Sequence, residues 1–456
     1  MAEEFRALDR ETPMLLPPSI QEWLPEQHLA RFVVEIVEQL DLSEITSQYG
    51  GSGGKQAYHP AMLVALLFYG YATGVFSSRK LEQATYDSVA FRYISGDEHP
   101  DHDTIANFRK RFLAELEGLF KQILVLAKTM GVLRLGRVSL DGTKMQGNAS
   151  KHKAMSWGHA TKLERQLEGE VEKLLELAQR ADQEGEQDQQ ELDIPEELQR
   201  REERLAAIRE AQEKIEERAQ ERHAAEQAEY EAKLKRRQER EAETGKKLGG
   251  KPPQEPEAGP RDKDQVNFTD EESRIIPGAN GNFIQGYNAQ AVVEQDSHMV
   301  VGNHVSQAAN DKQEVEPALN ELERVADELG KPEALVADTG YHSKENVERC
   351  LEQDIEPYIA GSRERHNQPL EDRLKTPPEC PADADAVTAM KHRLQTPAGK
   401  AIYSKRKSTV ETVFGVIKEV LGFRRFHLRG LRGAEGEWSL VCTAWNVKRM
   451  YALAGG

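Results

Sequence analysis

The sequence predicts an α/β protein in which a helical N-terminal region precedes a mixed sheet, and a long helical insertion interrupts the sheet. Three observations predict this architecture. Apolar residues recur at helical spacing through most of the first 130 residues. Short apolar runs of strand character then alternate with further helices. Between the first strand and the next, residues 151–265 are dense in charge, with leucine and isoleucine at helical spacing.

A chain of 456 residues has room for two or three domains. We expect a helical, DNA-binding-like domain over residues 1–130 and the first strand of the sheet domain over residues 131–150. A charged helical hairpin with its linker follows over residues 151–265. The rest of the sheet domain occupies residues 266–456.

The N-terminal helices are predicted from apolar periodicity. The clearest period lies in Leu29–Leu40, and the loop GGSGGK at Gly50–Lys55 then breaks the chain. We expect further helices over His59–Gly74, from Ser77 or Ser78 to Ile94, and from about Asp103 to Met130. Arg109, Lys110 and Arg111 lie in the last of these helices. Two interpretations stay open for this region, a helix-turn-helix-like DNA-binding module and a helical bundle with a solvated basic face.

The first strand is predicted at RVSLD, Arg137–Asp141, and is expected to stop at Asp141-Gly142. Two long helices follow, separated by the polar stretch Ala181–Pro195, and we interpret them as a coiled-coil hairpin. The hairpin either pairs two protomers or stands as a solvated appendage. Gly249–Asp264, rich in proline and glycine, is predicted to be a flexible linker.

After the insertion, the pattern of strands and helices resumes. NFIQGYNAQAVVEQDSHMVVGNHVS predicts two strands joined by a turn at Gln295-Asp296-Ser297. We expect a helix from about Lys312 to Gly330, then a strand ending at Asp338 and a helix from Ser343. This order of elements is typical of an α/β fold on a mixed sheet.

The formal net charge is −17, but the charge is unevenly distributed. Residues 161–250 hold 18 Lys and Arg against 26 Asp and Glu, a net −8, whereas residues 387–450 hold 13 against 4, a net +9. The basic segment is therefore the place where a polyanion would be held.

The composition points to a protein outside the membrane. The longest apolar run, Ala61–Tyr69, is too short to cross a bilayer. Cys350, Cys380 and Cys442 lie far apart and form no CxxC pair. We therefore expect free thiols in the core and a reducing compartment, the cytoplasm.

Three carboxylates stand out. Asp141 and Asp338 each end a predicted strand and are followed closely by a glycine, a position expected to be exposed but rigid. For each of them, a helix-cap or turn aspartate is the alternative interpretation. Glu411 opens a helix, and Ser408-x-x-Glu411 fits a capping box. However, Glu411, Gly415 and Lys418 fall on one helix face, apart from the apolar face.

Three carboxylates brought together would repel one another by about 4 kcal/mol per pair at 4 Å. Such a cluster persists by protonation or by binding hard cations. Oxygen donors with open positions suit Mg²⁺ or Mn²⁺, and two such ions act on the attacking and leaving oxygens of a phosphodiester.

The sequence resembles the DDE-superfamily transposases of insertion sequences at VSLDGTKMQGNAS, ALVADTGYHSKEN and YSKRKSTVETVFGVIK. The helical stretch Tyr58–Leu113 and the blocks NFTDEESR, IQGYNAQAVV and AEGEWSLVCTAWNVKRM also resemble this family. The resemblance implies an RNase H-like core in which the first Asp ends the first strand, the second follows the fourth strand, and the Glu lies on a later helix. The family signature also has Lys seven residues after the Glu, as Lys418 is here, with Tyr and Arg upstream.

The resemblance implies that Asp141, Asp338 and Glu411 are catalytic ligands of two Mg²⁺ or Mn²⁺ ions. It also implies that Lys418, Arg406 and Tyr403 hold the DNA backbone. Lys405 and Lys407 are further candidates for contacts to DNA. Lys144 and His342, which follow the two aspartates closely, are weaker candidate site residues. Arg406 is five residues before Glu411, where the signature has four, so Arg406 and Lys407 both remain candidates for the signature cation.

The function implied is that of a DNA transposase, which cleaves the terminal inverted repeats of its element and joins the 3′ ends to target DNA. The partners implied are those DNAs and a second copy of the chain in the synaptic complex, with no membrane. Two alternatives remain: a nuclease of the same fold that cuts without joining, and a DNA-binding or assembly protein with a decayed core.

Overall fold

The protein was analysed as a computed structural model that describes residues 19–49, 57–150, 153–184, 194–245, 249, 251–278, 281–361, 380–381 and 383–455. The chain divides into two compact units. Unit 1 comprises Met1–Gly147, Ile276–Asn282 and Gly286–Gly456, and unit 2 comprises Asn148–Ile275 and Phe283–Gln285. The predicted loop at Gly50–Lys55 and residues 185–193 of the predicted spacer lie outside the described residues.

Unit 1 begins with short helices. They are α1 (Leu29–Glu38), α2 (Ser43–Thr46), α3 (Pro60–Thr73), α4 (Ser78–Asp87), α5 (Val89–Ser95), α6 (His102–Arg111) and α7 (Leu113–Thr129). The period predicted for α1 is confirmed, because Ala30, Val33, Ile36 and Val37 are all buried.

Two helices that we predicted as continuous are each broken. Ser88 adopts an extended backbone between α4 and α5, with φ −113° and ψ 124°. Phe112 leaves the helical region between α6 and α7, with φ −104° and ψ 28°. Phe112 is fully buried, so packing of its ring accompanies the bend. The apolar residues keep their helical spacing on both sides of such a bend, so the sequence pattern does not reveal it.

The three cations of α6 do not form one solvated basic face. Arg109 is buried and donates from Nη1 to the Tyr71 hydroxyl (2.7 Å) and to the Phe76 carbonyl (3.1 Å). The Arg111 guanidinium lies over the Phe112 ring at 4.9 Å. Arg109 is therefore a core residue that connects helices, whereas Lys110 and Arg111 are both exposed.

The sheet of unit 1 is mixed, as predicted for an RNase H-like core. Its principal strands are β1 (Arg137–Gln146), β5 (Phe283–Glu294), β6 (Val300–Ser306), β7 (Ala334–Ala337) and β8 (Glu356–Ile359), with β4 (Arg274–Pro277) beside β5. Strand β1 pairs antiparallel with β5 and parallel with β7. Strands β5 and β6 form the predicted hairpin, and β7 pairs parallel with β8. These pairings confirm the α/β class.

The prediction that β1 stops at Asp141-Gly142 is wrong. Strand β1 continues to Gln146, because residues Val138 to Gln146 pair with β5 without interruption. Its pairing with β7 ends earlier, at Ser139↔Val336. At the Asp141-Gly142 dipeptide, β1 is therefore no longer paired with β7 but is still paired with β5.

Helices pack against this sheet. They are α10 (Val315–Arg324), α11 (Ala326–Leu329), α12 (Lys344–Glu352), α13 (Ala386–Gln395), α14 (Pro397–Arg406), α15 (Thr412–Gly415) and α16 (Leu431–Leu453). The helix predicted from Lys312 to Gly330 is thus shorter and divided at Val325. The helix predicted from Ser343 is confirmed as α12, with Ser343 as its N-cap.

The capping-box interpretation of Glu411 is wrong. Residues 397–420 form one helical run, which we call the Glu411 helix: α14, a π-helical turn at Lys407–Glu411, α15, and a second π-helical turn at Val416–Val420. Thr396 caps this run by accepting a hydrogen bond from the Gly399 amide. Glu411 therefore lies in the interior of a helix, where its side chain is not needed as a cap.

A buried glutamate on α16 connects the N-terminal helices to the chain that follows the Glu411 helix. Glu437 is fully buried and accepts hydrogen bonds from the Tyr71 hydroxyl (2.9 Å) and the His427 and Leu428 amides (2.7 and 3.0 Å). Arg109 donates to the same Tyr71 hydroxyl. One hydrophobic core runs from α1 through the sheet to α16.

Unit 2 contains the two predicted long helices, α8 (Trp157–Glu184) and α9 (Ile194–Thr244), and the short strands β2 (Ala154–Ser156) and β3 (Gln265–Asn267). Leu167 packs with Leu205 and Ile208 between the helices, and Arg209 pairs with Glu164 at 3.0 Å. The segment that we predicted as a flexible linker is held by ion pairs to α9.

These ion pairs join Arg222 to Asp264 at 2.8 Å and Arg261 to Glu226 at 3.0 Å. Proline and glycine content predicted the absence of regular structure but not these long-range pairs.

Two remaining expectations can be compared with the structure. Cys350 and Cys442 are buried free thiols, as expected, but Cys380 is exposed. Within the described ranges, no single helix is long and apolar enough to cross a membrane. The bent pair Pro60–Thr73 and Ser78–Asp87 passes that test only when its two helices are taken together.

Candidate active site

The register of the sheet brings the two aspartates to the same edge. The last parallel pair of β1 and β7 is Ser139↔Val336, and Asp141 and Asp338 each lie two residues beyond it. Asp141 remains in the sheet opposite Ala291 of β5. Asp338 follows the end of β7. Because β1 and β7 are parallel, both aspartates lie at the same level of the sheet.

Asp338 also serves as a cap. Its Oδ1 accepts a hydrogen bond from the Gly340 amide (2.7 Å) and so begins the 3₁₀ turn Thr339–Tyr341. The structural interpretation of this residue as a cap is thus confirmed. A carboxylate has further acceptor positions, so capping through one oxygen leaves Asp338 able to bind a second group.

Arg406 joins the first and third acids of the predicted set. Its Nη1 lies 3.0 Å from Asp141 Oδ2, and its Nη2 lies 3.1 Å from Glu411 Oε1. The side chain of Arg406 is 9% exposed, that of Asp141 19% and that of Glu411 48%. The two carboxylates therefore face one cation from different elements, β1 and the Glu411 helix.

Burial raises the pKa of Asp141 to about 6, although Arg406 acts in the opposite direction. The charges of Asp338 and Asp311 add to the increase in the pKa. The pKa of Arg406 is raised, because the charges of Asp141, Tyr403 and Asp338 outweigh the effect of its burial. The negative charge of these carboxylates thus exceeds the positive charge that Arg406 supplies.

The π-helical turn explains the five-residue spacing between Arg406 and Glu411. A π-helix closes its hydrogen bonds between residues i and i+5, so one extra residue is accommodated within a turn. Arg406 directly precedes the π-helical turn Lys407–Glu411, Glu411 is its last residue, and the two side chains form an ion pair. Lys407 is exposed on the other side. Of the two cations left open by the sequence, the structure therefore places Arg406 beside the acids.

Lys418 attaches the Glu411 helix to β1. Its Nζ donates to the Lys144 carbonyl at 3.0 Å, and burial lowers the pKa of the Lys418 ammonium. Tyr403 is half-buried and packs against a cluster that includes Val336 and Tyr358. Tyr403 lies close to Arg406, and both Lys418 and Tyr403 make contacts within the protein.

The remaining sequence candidates lie around this centre. Lys405 is exposed and pairs with Asp296 at 2.9 Å. Lys144 points to Asp311, with Nζ 3.1 Å from its Oδ1. His342 is half-buried; burial and the charge of Lys391 lower the pKa of its imidazole. Neither Lys144 nor His342 contacts one of the three acids in the described part of the chain.

Asp311 is a residue of the site that the sequence analysis missed. Its Oδ1 accepts hydrogen bonds from Asn288 (2.7 Å), Gln290 (2.9 Å) and Lys144. The Tyr341 hydroxyl, next to the Asp338 turn, donates to Gln290 Oε1 at 2.6 Å. This network connects the β1–β5 pair to the turn that carries Asp338.

The sequence held a partial signal for this network. Asn288 and Gln290 are polar residues at alternate positions of a largely apolar strand, and alternation places both on one face. Gly142 pairs with Gln290, and a Cβ added at Gly142 would lie 2.2 Å from Gln290 Nε2 and 2.8 Å from Asp311 Oδ1. A larger residue at position 142 would displace the Gln290 and Asp311 side chains from this network. Asp311 itself lies in a loop without a pattern of its own.

The residues present fit a hard divalent cation. Among the described residues, no group of three or more His, Cys, Asp and Glu side chains is already arranged as a metal site. However, Asp141 and Glu411 direct oxygens at one guanidinium, which acts as a stand-in cation. Oxygen donors around a shared cation are the chemistry that Mg²⁺ and Mn²⁺ require.

Comparison with known families agrees with this geometry. Residues 258–447 match the family described as a transposase DDE domain, and residues 18–111 match a second family described as a transposase domain. Together the two matches cover more than half of the chain. No curated protein and no solved structure matches it. Transposases with a DDE domain generally depend on divalent metal ions. The chain therefore belongs to the DDE transposases of insertion sequences, which act on DNA.

Proposed function

We propose that this transposase cleaves the ends of its insertion sequence and joins the freed 3′ ends to target DNA, with Asp141, Asp338 and Glu411 as its catalytic carboxylates. The observation that carries the proposal is the shared cation between Asp141 and Glu411 beside the strand end of Asp338. The three acids come from β1, the end of β7 and the Glu411 helix, in the order implied by the family.

The three acids differ in their contacts and in their exposure. Asp141 is fixed by sheet pairing on the β5 side, and its Oδ1 accepts from the Gly142 amide at 2.8 Å. Asp338 is fixed by its own cap contact. Glu411 is half-exposed, so it is the acid most accessible to an incoming DNA strand. When bound to such carboxylates, two divalent ions activate water or a 3′-hydroxyl and stabilise the leaving oxygen of the phosphodiester.

Basic residues beside the acids supply the contacts to the DNA backbone in this proposal. Lys405 and Lys407 are exposed and lie within the segment of net positive charge. Lys418 and Tyr403 are assigned to the DNA backbone by the resemblance, and in the DNA-free protein both make contacts within the chain. We further propose that the bound DNAs are the terminal inverted repeats and the target, that two copies act together, and that they do so in the bacterial cytoplasm or nucleoid.

The test begins with the DNA that flanks this gene, which is sequenced for inverted repeats and made as labelled duplexes. With Mg²⁺ or Mn²⁺, the purified protein should nick these duplexes and yield joined products with a target plasmid. Asp338→Asn and Glu411→Gln should each abolish nicking while specific binding remains. Glu419→Gln, an exposed acid of the same helix, is the matched control and should cleave normally.

Three outcomes separate the candidate functions. Nicked and joined products support a transposase. Nicked products without joining indicate a nuclease of the same fold. Binding without nicking in either metal indicates an assembly protein with an inactive core, and normal cleavage by Asp338→Asn would show that the acids are wrongly assigned.

A further inference from the structure

The Arg406 guanidinium occupies the position of a shared cation. Its two Nη atoms, which belong to one rigid planar group, contact Asp141 and Glu411 at 3.0 and 3.1 Å. The side chain is almost fully buried. Its Nε is also buried and has no hydrogen-bond partner among the described residues. The guanidinium is thus held by these two carboxylates rather than by a wider network.

The neighbouring cations cannot take this place. Lys405 pairs with Asp296, and Lys407 is exposed. The π-helical turn places Arg406 alone against the acids. The guanidinium thus places one positive charge against two carboxylates, of which Asp141 is largely shielded from water and Glu411 is half-exposed.

We propose that Arg406 is a positioning residue that serves as the built-in counter-cation of Asp141 and Glu411 in the DNA-free protein and competes with the divalent metal for their oxygens. The assignment of these oxygens to a metal rests on the proposed function. An anionic DNA phosphate competes with the carboxylates for the guanidinium, because charge-assisted bonds to phosphate are as strong as those to carboxylate. Metal binding and DNA binding then favour each other, since such coupling is reciprocal.

The test measures metal affinity rather than activity. Metal-stripped, DNA-free protein is titrated with Mn²⁺ near pH 7.5, and free Mn²⁺ is followed by its electron paramagnetic resonance signal. Arg406→Gln removes the competing cation, and we expect it to bind Mn²⁺ about tenfold more tightly than the wild type. Lys407→Gln removes the adjacent exposed cation and is the control; its affinity should stay within about twofold of the wild type.

A second titration with a short DNA duplex tests the coupling. DNA should raise the Mn²⁺ affinity of the wild type several-fold, whereas Arg406→Gln should show little further gain. Circular dichroism and thermal melting establish that the variants are folded. If Arg406→Gln does not fold, the Mn²⁺ affinity of Arg406→Lys is measured instead. An ammonium group cannot bridge both carboxylates, so it should compete less strongly with the metal. Tighter binding by Arg406→Lys supports the proposal, and equal or weaker binding contradicts it.

An unchanged or weaker Mn²⁺ affinity in folded Arg406→Gln would overturn the proposal and leave Arg406 as a purely structural residue. This failure is distinct from failure of the proposed function. If the wild type cleaves DNA and the affinity does not change, only the counter-cation proposal falls. If the affinity changes but no DNA is cleaved, the acids bind metal and the catalytic proposal falls.

Discussion

At the scale of single residues, the chemistry of the site depends on where each carboxylate lies in the sheet. Asp141 is well buried and its neighbours include Asp338 and Asp311. Burial therefore disfavours its charged form, and Arg406 compensates only in part. A site of this kind is unfavourable for the stability of the metal-free protein at neutral pH, because its charges are arranged for a ligand rather than for the fold alone.

The raised pKa of Asp141 has a consequence for stability. Its pKa is about 6 in the folded protein against 3.8 in the unfolded chain, so the folded state holds a proton that the unfolded state has lost between these values. Stability contributed by this group is thus greatest below about pH 4 and is lost as the pH rises to 6 and beyond. Asp141→Asn, which cannot ionise, should escape this loss.

We therefore expect Asp141→Asn to be more stable than the wild type by about 2–3 kcal/mol above pH 7 and nearly equal to it near pH 4. Urea unfolding in the presence of a chelator, at a series of pH values, measures the difference. Asp296→Asn, an exposed aspartate on the β5–β6 turn, is a suitable control and should show no such trend. A constant difference at all pH values would mean that the ionisation of Asp141 is not responsible.

At the scale of elements, the Glu411 helix is the part of the fold in which local geometry matters most for the site. Its first π-helical turn adjusts the phase between Arg406 and Glu411 by one residue. Lys418 then fastens the helix to β1 through the Lys144 carbonyl. The helix and the strand are thus joined on both sides of Glu411. π-Helical turns within α-helices are often found at functional sites, because they redirect side chains without ending the helix.

This geometry predicts that the arginine cannot be moved to the position that the family signature would assign to it. The double variant Arg406→Lys/Lys407→Arg keeps the charge but places the guanidinium on the exposed side. We expect its DNA cleavage to be as impaired as that of Arg406→Lys alone. Recovery of wild-type cleavage by the double variant, measured on the same labelled duplexes, would contradict the role that we give to the π-helical turn.

At the scale of the whole molecule, unit 1 unites the N-terminal helices and the sheet in one core. The Glu437 network shows this most clearly, since its members come from α3, α6, α16 and the chain after the Glu411 helix. The pKa of the Glu437 carboxyl is lowered: burial alone would raise it, but the hydrogen bond from His427 and the charge of Arg109 outweigh that effect. The N-terminal helices therefore share one core with the sheet that carries the candidate site.

Breaking this network should destabilise unit 1 as a whole. Glu437→Gln leaves the buried Arg109 without its counter-charge, and we expect a loss of about 3–5 kcal/mol in the free energy of unfolding. Glu435→Gln, two residues away and partly exposed, should cost less than about 1 kcal/mol. Urea unfolding followed by fluorescence compares the two variants. Equal losses would mean that the buried network contributes little.

The exposed cations near the site should appear in the salt dependence of DNA binding. Lys405→Gln/Lys407→Gln removes two candidate phosphate contacts, so the slope of log affinity against log salt should fall by about 1.8, at about 0.9 for each phosphate. Lys263→Gln/Lys331→Gln, which removes two exposed cations far from this stretch in sequence, is the control. An unchanged slope in the first variant would show that the DNA runs elsewhere.

The sequence by itself determined the class of the fold and predicted its principal strands and helices, and it proposed the three acids in their order along the chain. These features are local, since periodicity of two or 3.6 residues and turn residues are read within a few positions. The two aspartates were found because a strand followed by a glycine is such a local pattern, although the actual end of β1 depended on which neighbour strand continued beside it.

Only the tertiary structure decided which cation faces the acids, that Arg109 is buried, and that Asp311 belongs to the site. Arg406 and Lys407 are adjacent cations in the sequence, and a π-helical turn separates their environments. Asp311 gains its role from side chains on β1 and β5, which lie far from it along the chain. Such contacts depend on strand register and on the phase of a helix, and no pattern within a short window of sequence specifies either of them.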